Sequence, residues 1–219
     1  MDIKQRAAEV AKRLGKLYSD PHSCLSHSNP FELLVATILS AQTTDVHVNK
    51  VTPGLFARYR TIEAFAAAPP AELQKALSSV NFYNNKAKSI RNSARMILEE
   101  FGGKVPQTMP ELIRLPGVAR KTANIILYDA FGKTEGMAVD THVKRLANRL
   151  GFTTFVDPAK IEQDLMRTVA KKDWGRFSHM LVLHGRAVCQ ARTPLHEQCV
   201  LADICPSSGV MEQGRNRKG

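Results

Sequence analysis

Leu115-Pro-Gly-Val-Ala-Arg-Lys121 is a tight turn that opens directly into a helix. Pro116 fixes φ and Gly117 tolerates a positive φ, so the backbone can reverse its direction sharply at this point. The first turn of the helix that follows has free N–H groups, and groups of this kind bind phosphate. The stretch therefore predicts an anion cradle at a helix N-terminus, with the amine of Lys121 beside it.

The segments on both sides of this turn are predicted to be helical, because their apolar residues recur at helical spacing. The pair Thr108 and Glu111 is typical of a capping box that opens a short helix before the turn. The helix after the turn runs to about Gly132, and the next begins at Asp140 and stops at Gly151. Further predicted helices begin at Asn29-Pro30, cover Ala87 to Phe101, and span 158–170 and 173–188. These segments predict an all-α fold built around a helix-hairpin-helix.

The chain is strongly basic, with 31 Lys and Arg residues against 20 Asp and Glu and a net charge of +11. Such a charge favours polyanionic partners, although it does not separate a nucleic-acid-binding protein from a well-solvated basic one. The 219 residues, 43% of them hydrophobic, suffice for a sizeable core in one large or two small domains. Charge and length thus favour a globular protein with an acidic partner.

The N-terminal residues 1–14 alternate charged residues with alanine and do not form the apolar run of a signal peptide. No segment approaches the ~20 apolar residues of a membrane span. We therefore expect an intracellular protein with no membrane partner, which in a prokaryote would be cytoplasmic and associated with the nucleoid. In such a reducing compartment, the three cysteines between 189 and 205 indicate metal binding more than a disulfide.

Lys121 is predicted to point away from the core, because it lies about 170° from the apolar stripe of its own helix. The simplest interpretation is a solvated surface lysine. However, the positive end of the helix dipole and the adjacent Arg120 both disfavour an ammonium in this position. They favour a free amine, which can attack a carbon atom.

Asp140 is predicted to be the N-cap of the helix that follows it. The helix N–H groups would keep its carboxylate ionised, which suits it to stabilise a developing positive charge or to relay a proton. His142, two residues further on, is either a contact to phosphate or sugar or an idle surface histidine.

These residues resemble the endonuclease III family of DNA glycosylases, within the helix-hairpin-helix superfamily. The likeness runs from about Asn29 to Cys205 and includes five motifs: Ile38-Leu-Ser-Ala-Gln-Thr-Thr-Asp45, Asn81-Phe-Tyr-Asn-Asn-Lys86, Leu115 to Ala123, Val139-Asp-Thr-His142 and His184-Gly-Arg186. The family implies two all-α lobes with DNA bound across the cleft between them. By resemblance, 24–133 form a six-helix barrel domain, 1–23 and 134–205 form a helical iron-sulfur domain, and 206–219 form a disordered basic tail.

The resemblance also implies an activity, that of a bifunctional DNA glycosylase and AP lyase acting on oxidised pyrimidines in base excision repair. Lys121 would attack C1′ of the damaged nucleotide and form a Schiff base that undergoes β-elimination, while Asp140 assists at the sugar. The target atom is inaccessible in a duplex, so the nucleotide must be flipped out. The expected partner is double-stranded DNA with damaged bases or abasic sites, bound by a monomer.

Two alternatives to this activity stay open at this point. The first is a monofunctional mismatch glycosylase of the same fold, against which Lys121 argues. The second is a non-catalytic helix-hairpin-helix module that binds DNA through charge.

Gln42 matches the family's intercalating glutamine, and Phe82 lies where the family places an apolar wedge. Without the resemblance, Gln42 would be a polar residue at a helix end and Phe82 a core residue. Ala119 replaces the second glycine that is common in the hairpin. The full set of DNA contacts expected by resemblance comprises Gln42, Asp45, Phe82, Lys86, Gly117, Ala119, Arg120 and His142.

The cysteine cluster departs from the family pattern Cys-x6-Cys-x2-Cys-x5-Cys, because the second position holds a histidine. The corresponding residues are Cys189, His196, Cys199 and Cys205. The resemblance implies a 4Fe-4S cluster with His196 as its fourth ligand. Three cysteines with one histidine also suit tetrahedral zinc, and a loop without metal is the third alternative. The isolated Cys24 has no assigned role.

Overall fold

The computed structural model describes residues 1–208, so most of the predicted disordered tail, 209–219, lies outside the described residues. Within 1–208 the chain forms α-helices joined by loops and short 3₁₀ turns, with no β-strand. The all-α prediction is confirmed. None of the described helices combines the length and the hydropathy that crossing a membrane requires.

The chain divides into two compact units, Ser23–Glu135 and the combination of Met1–His22 with the segment from Gly136 onwards. The central unit contains α2 (Pro30–Leu39), α3 (Asp45–Arg58), α4 (Ile62–Ala67), α5 (Pro70–Ala76), α6 (Tyr83–Glu100), α7 (Met109–Leu112) and α8 (Arg120–Phe131). The second unit contains α1 (Ile3–Leu17), α9 (Thr141–Arg149), α10 (Pro158–Thr168) and α11 (Trp174–Ala187).

Several helix ends lie where the sequence predicts them. Asn29 caps α2, because its Oδ1 accepts a hydrogen bond from the Glu32 backbone N–H at 2.9 Å. α8 ends at Gly132, which has a φ of 64° that glycine adopts without strain.

The predicted capping box at Thr108 is wrong. The Thr108 hydroxyl donates to the Glu111 carboxylate at 2.7 Å and makes no cap to the backbone.

The core of the central unit forms around α2, which is apolar on nearly every side and therefore buried. It packs against α3, α6 and α8, so the hairpin helix α8 is held directly against the middle of this unit. The sequence pattern did not predict α3, which contains Pro53 and Gly54, or the short helices α4 and α5. In these elements, tertiary packing of a few buried side chains outweighs weak helical propensity.

The second unit is built around α11, whose Phe177, Met180 and Leu181 are completely buried. Both α1 and α9 pack on this helix, so the two ends of the chain share one core. The tail boundary predicted at 206 lies too early, since the Ser207 hydroxyl donates to the Arg149 carbonyl at 2.8 Å and extends the folded part.

Candidate functional site

The turn between α7 and α8 has the geometry of an anion cradle. Gly117 has a φ of 82°, and the Pro116 carbonyl accepts a hydrogen bond from the buried Ser93 hydroxyl at 2.9 Å, which fixes the turn to α6. Ala119 is the N-cap of α8 and makes no side-chain cap. The N–H groups of the first turn of α8 are thus not occupied by a capping side chain, and a phosphate can bind them.

The replacement of glycine by Ala119 is compatible with this turn. Ala119 has φ −89° and ψ 168°, which is ordinary extended backbone that any residue adopts. Gly117, Ala119 and Arg120 are all exposed around the turn, as a contact to DNA requires.

Gly117→Ala is expected to destabilise the protein and to weaken DNA binding. A Cβ at this position would lie 2.9 Å from the Ser89 Cβ, in addition to the cost of a positive φ. Gly132→Ala is the matched control, because Gly132 also has a positive φ but a Cβ there would meet no other atom within 4 Å. In urea unfolding we expect a loss of about 1 kcal/mol for Gly132→Ala and clearly more for Gly117→Ala. Equal losses would show that the contact with Ser89 is unimportant.

Lys121 lies in the first turn of α8 and is exposed, as the helical wheel predicts. The opposite face of α8 is fully buried through Ala123, Ile126 and Leu127. The amine is therefore presented at the surface by a helix that is anchored in the core. It belongs to the same helical turn as the N–H groups of the cradle.

Gln42 and Phe82 are the two non-glycine residues with positive φ in the part of the chain that the structure describes, at 54° and 57°. Both are exposed, and Phe82 has 62% of its surface accessible to solvent, so the alternative that places it in the core is wrong. The Asn81 amide donates to the Gln42 carbonyl at 2.6 Å and joins the two loops. Strained backbone of this kind is concentrated at functional sites.

Lys86 is buried, with 6% of its surface exposed, and is not available for the DNA contact that the resemblance implied. Its ammonium donates to the carbonyls of Leu39 and Ala41 at 2.8 and 2.6 Å and to the Thr43 hydroxyl at 3.1 Å. Burial lowers the pKa of Lys86. Lys86 therefore caps the C-terminal end of α2 and holds the loop that contains Gln42.

Asp45 is the first residue of α3 and is half-buried. A carboxylate in the first turn of a helix is stabilised by the helix dipole. Its negative charge repels phosphate, so we expect Asp45 to act on DNA binding by ordering the loop after Gln42.

Asp140 caps α9, since its Oδ1 accepts a hydrogen bond from the Val143 N–H at 2.8 Å. The predicted N-cap is confirmed. The second carboxylate oxygen is not used by this cap, so capping leaves an oxygen for the chemistry of a substrate.

His142 follows Asp140 in the first turn of α9 and lies against α11. Burial lowers the pKa of His142, Asp140 opposes this effect, and the nearby Arg145 and Arg186 reinforce it. Arg145 Nη2 lies 3.1 Å from His142 Nδ1, and because a guanidinium only donates, Nδ1 is the acceptor. With Nδ1 accepting from Arg145, Nε2 carries a proton and can donate.

Arg145 and Arg149, one helical turn apart on α9, connect this site to the cysteine loop. Arg145 donates to the carbonyls of Gly185 and Cys189 at 2.9 and 3.0 Å. Arg149 donates to the Cys189 sulfur at 3.2 Å and to the Gln190 carbonyl at 2.8 Å. Neither arginine was predicted from the sequence, although their i, i+4 spacing after Asp140 was a usable signal.

The four predicted metal ligands line one small cavity. Cys189, His196, Cys199 and Cys205 border it together with residues that include Arg149 and Leu195. Within 1–208, no three His, Cys, Asp or Glu side chains converge in the geometry of a bound metal ion. The four side chains therefore border one cavity without converging on a common point.

The chemistry of these thiols fits a bound cationic group. Burial raises the pKa of Cys199 and of Cys205, and the neighbouring cysteines raise it further. A raised pKa keeps these thiols protonated without a metal, so metal binding would release their protons and the bound cation would compensate the thiolate charge. His184, whose pKa burial lowers to about 4, lies with Nε2 3.4 Å from the Cys199 sulfur and can donate to it.

Comparison with known proteins agrees with this geometry. Residues 35–171 match the model of the HhH-GPD superfamily of base excision DNA repair proteins. Residues 189–205 match the iron-sulfur binding domain of endonuclease III, which shows that the loop belongs to an iron-sulfur domain.

Individual relatives cover nearly the whole chain. Endonuclease III of Synechocystis sp. is 53% identical over 205 residues, which are 94% of this chain and 94% of the relative. Endonuclease III of Bacillus subtilis is 44% identical, over 94% and 93% of the two chains. The structure of a trapped endonuclease III–DNA covalent intermediate aligns with a TM-score of 0.90 at 40% identity, over 97% of this chain and 100% of that one. With its exposed lysine, capped aspartate and cysteine loop, this chain belongs to the endonuclease III family.

Proposed function

We propose that this chain is a bifunctional DNA glycosylase and AP lyase that excises oxidised pyrimidines from double-stranded DNA, acting as a monomer. The observation that carries the proposal is Lys121, an exposed amine in the first turn of a buried helix, directly after an anion cradle. A related endonuclease III has been trapped as a covalent intermediate with DNA, which agrees with a nucleophilic amine.

The reaction begins when the amine nitrogen of Lys121 attacks C1′ of the flipped nucleotide. The C1′–N bond to the base breaks, the base leaves with the bonding electrons and gains a proton, and the amine nitrogen loses one. The C1′–O4′ bond then breaks, O4′ gains a proton from solvent, and the nitrogen lone pair forms the C1′=N bond of a protonated Schiff base. Removal of a C2′ proton then expels the 3′ phosphate by β-elimination and cuts the strand.

Asp140 stabilises the positive charge that develops on the sugar and on the Schiff base. A carboxylate fixed by a helix N-terminus does not reorganise during the reaction, which is the condition for effective electrostatic stabilisation. His142, able to donate from Nε2, can hold a sugar or phosphate oxygen near Asp140.

Gln42 and Phe82 fill the space that the flipped nucleotide vacates. Each stands on a strained, exposed loop, and the Asn81 hydrogen bond keeps the two loops together. An amide at this position can hydrogen-bond the orphaned base, and an aromatic ring can stack on its neighbours.

Borohydride trapping tests the function. The protein is incubated with a duplex that contains either thymine glycol or an abasic site, and borohydride is added. We expect a covalent protein–DNA complex with both duplexes and, without borohydride, a nicked strand. Base release without nicking would indicate the monofunctional mismatch glycosylase, and salt-dependent binding alone would indicate a non-catalytic module.

We further propose that the cysteine loop holds a 4Fe-4S cluster whose fourth ligand is His196. The three thiols and His196 line the same cavity, and imidazole is an established ligand in some iron-sulfur centres. When bound, the cluster supplies structural order rather than chemistry on DNA. Cys189, Cys199 and Cys205 would hold it, and Arg149 would donate to one of its sulfur ligands.

His196→Ala is expected to lower the iron content per chain, or to leave a cluster that loses one iron. His196→Cys, which restores the family pattern, is expected to retain a full cluster. Iron and sulfide analysis with electron paramagnetic resonance on anaerobically purified protein distinguishes these states. Equal iron content and identical spectra in all three proteins would exclude His196 as a ligand, and stoichiometric zinc would exclude the cluster.

A further inference from the structure

A second basic site lies in the unit formed by the two ends of the chain, and it shares no residue with the hairpin, with Asp140 or with the cysteine loop. A cavity of about 660 Å³ is bordered by α1 on one side and by the connection from α10 to α11 on the other. This volume lies in the range of pockets that bind small molecules. Its wall on α1 is formed by small apolar side chains, Ala7, Ala8 and Ala11.

The rim of this cavity is cationic. Five basic side chains border it against one carboxylate, that of Asp173; they are Lys4, Lys12, Arg167, Lys172 and Arg176. Lys12 and Arg167 also contact acidic neighbours on their own helices, at 3.6 and 3.5 Å, but these pairs are largely exposed and therefore weak. The cavity is thus a positively charged recess with an apolar wall.

Arg176 is the residue of the rim that argues most directly for an anionic ligand. Its Nε is buried and, among the described residues, has no hydrogen-bond acceptor. A buried donor without an acceptor is costly, and a guanidinium can offer Nε and Nη together to one phosphate. Because Arg176 borders the cavity, a phosphate there can approach its guanidinium.

The fold makes room for this guanidinium in the last turn of α1. Gly15 of α1 lies opposite Arg176, and a Cβ at Gly15 would lie 3.2 Å from Arg176 Nη2. A side chain at Gly15 would crowd the guanidinium, so glycine leaves the space that Arg176 occupies. The N-terminus of α11 adjoins the same recess, and Asp173 makes no side-chain cap to it.

We infer that this cavity binds a nucleoside polyphosphate. Its cationic rim and the Arg176 guanidinium would hold the phosphates, and the alanine wall would accommodate the base or sugar. The chain's own C-terminal segment is a poor occupant, because 209–219 contain three basic residues and one acidic residue. A rigid DNA duplex would contact such a rim without entering a recess of nucleotide size.

The chain contains its own reporter for this site. Trp174 is the single tryptophan, and its indole N–H donates to the carbonyl of Val169, which lines the cavity. Titration with ATP in the absence of divalent cations, followed by Trp174 fluorescence, is expected to show saturable binding. Tripolyphosphate should bind more weakly, and adenosine should not bind.

Arg176→Ala is expected to weaken ATP binding about tenfold or more, because it removes a charge-assisted, bidentate contact. Lys172→Glu, at an exposed position, should have a similar effect without affecting folding. Lys16→Ala is the control, since Lys16 is also a cation on α1 but does not line the cavity. Strand nicking at an abasic site should be unchanged in all three variants, which separates this site from the proposed function.

Three results would overturn the inference. Equal ATP affinity in wild type, Arg176→Ala and Lys172→Glu would show that binding is non-specific. Displacement of ATP by undamaged duplex DNA would assign the rim to the DNA backbone. Binding of an acidic peptide such as polyglutamate in preference to ATP would assign the recess to a protein partner.

Discussion

Lys121→Ala is expected to abolish the borohydride-trapped complex and to reduce strand nicking by more than about 10³-fold. The variant removes the amine that forms the Schiff base. Both trapping and β-elimination depend on that Schiff base, so both should be lost. The exposed position of Lys121 means that the substitution removes no core contact, so folding should be unaffected. The measurement is single-turnover nicking of an abasic-site duplex, together with trapping.

Lys75→Ala is the matched control for this experiment. Lys75 is an exposed lysine in the last turn of α5, on the same unit, and it makes no part of the hairpin. We expect this variant to trap and nick like the wild type. A covalent complex that persists in Lys121→Ala would assign the nucleophile to another amine and would refute the mechanism.

Asp140→Asn is expected to reduce the single-turnover rate by about 10²-fold or more, with little change in thermal stability. Asparagine is as good an N-cap as aspartate, so the start of α9 should be preserved while the negative charge is lost. The loss of one preorganised electrostatic contact in an active site typically costs 10² to 10³ in rate, roughly the effect anticipated here.

Asp140→Ala separates the two roles of this residue. It removes both the cap and the charge, and we expect a rate loss like that of Asp140→Asn together with a loss of about 1 kcal/mol in stability. For a chain of this size the stability loss corresponds to a lowering of Tm by about 2–4 °C. Full activity in Asp140→Asn would show that Asp140 acts only as a helix cap.

The cysteine loop shows how a motif can be located from sequence while its support is not. The spacing of the three cysteines and His196 predicted a common site, and the structure brings all four to one cavity. The arginines that hold the loop, Arg145 and Arg149, lie about 40 residues earlier on another helix. Only the packing of α9 on α11 reveals that the two arginines contact the cysteine loop.

Lys86 illustrates the opposite case, in which a correct motif led to a wrong role. Lys86 ends the motif Asn81 to Lys86, and the resemblance implied that it contacts DNA. In the fold, Leu39 and Ala41 present carbonyls at the end of α2, and the Lys86 ammonium donates to them. Whether a lysine faces solvent or caps another helix depends on which elements pack around it, and local spacing does not contain that information.

The sequence by itself determined the helical class, the hairpin turn, the caps at Asn29 and Asp140, and the orientation of Lys121 away from its own helix core. These features depend on φ preferences, side-chain caps and helical periodicity, which act over a few residues. The tertiary structure alone decided that Gln42 and Phe82 share one strained, hydrogen-bonded pair of loops, that Lys86 is internal, and that Arg176 lines a cationic recess. These features depend on contacts between residues far apart in the chain, which form only when the helices pack.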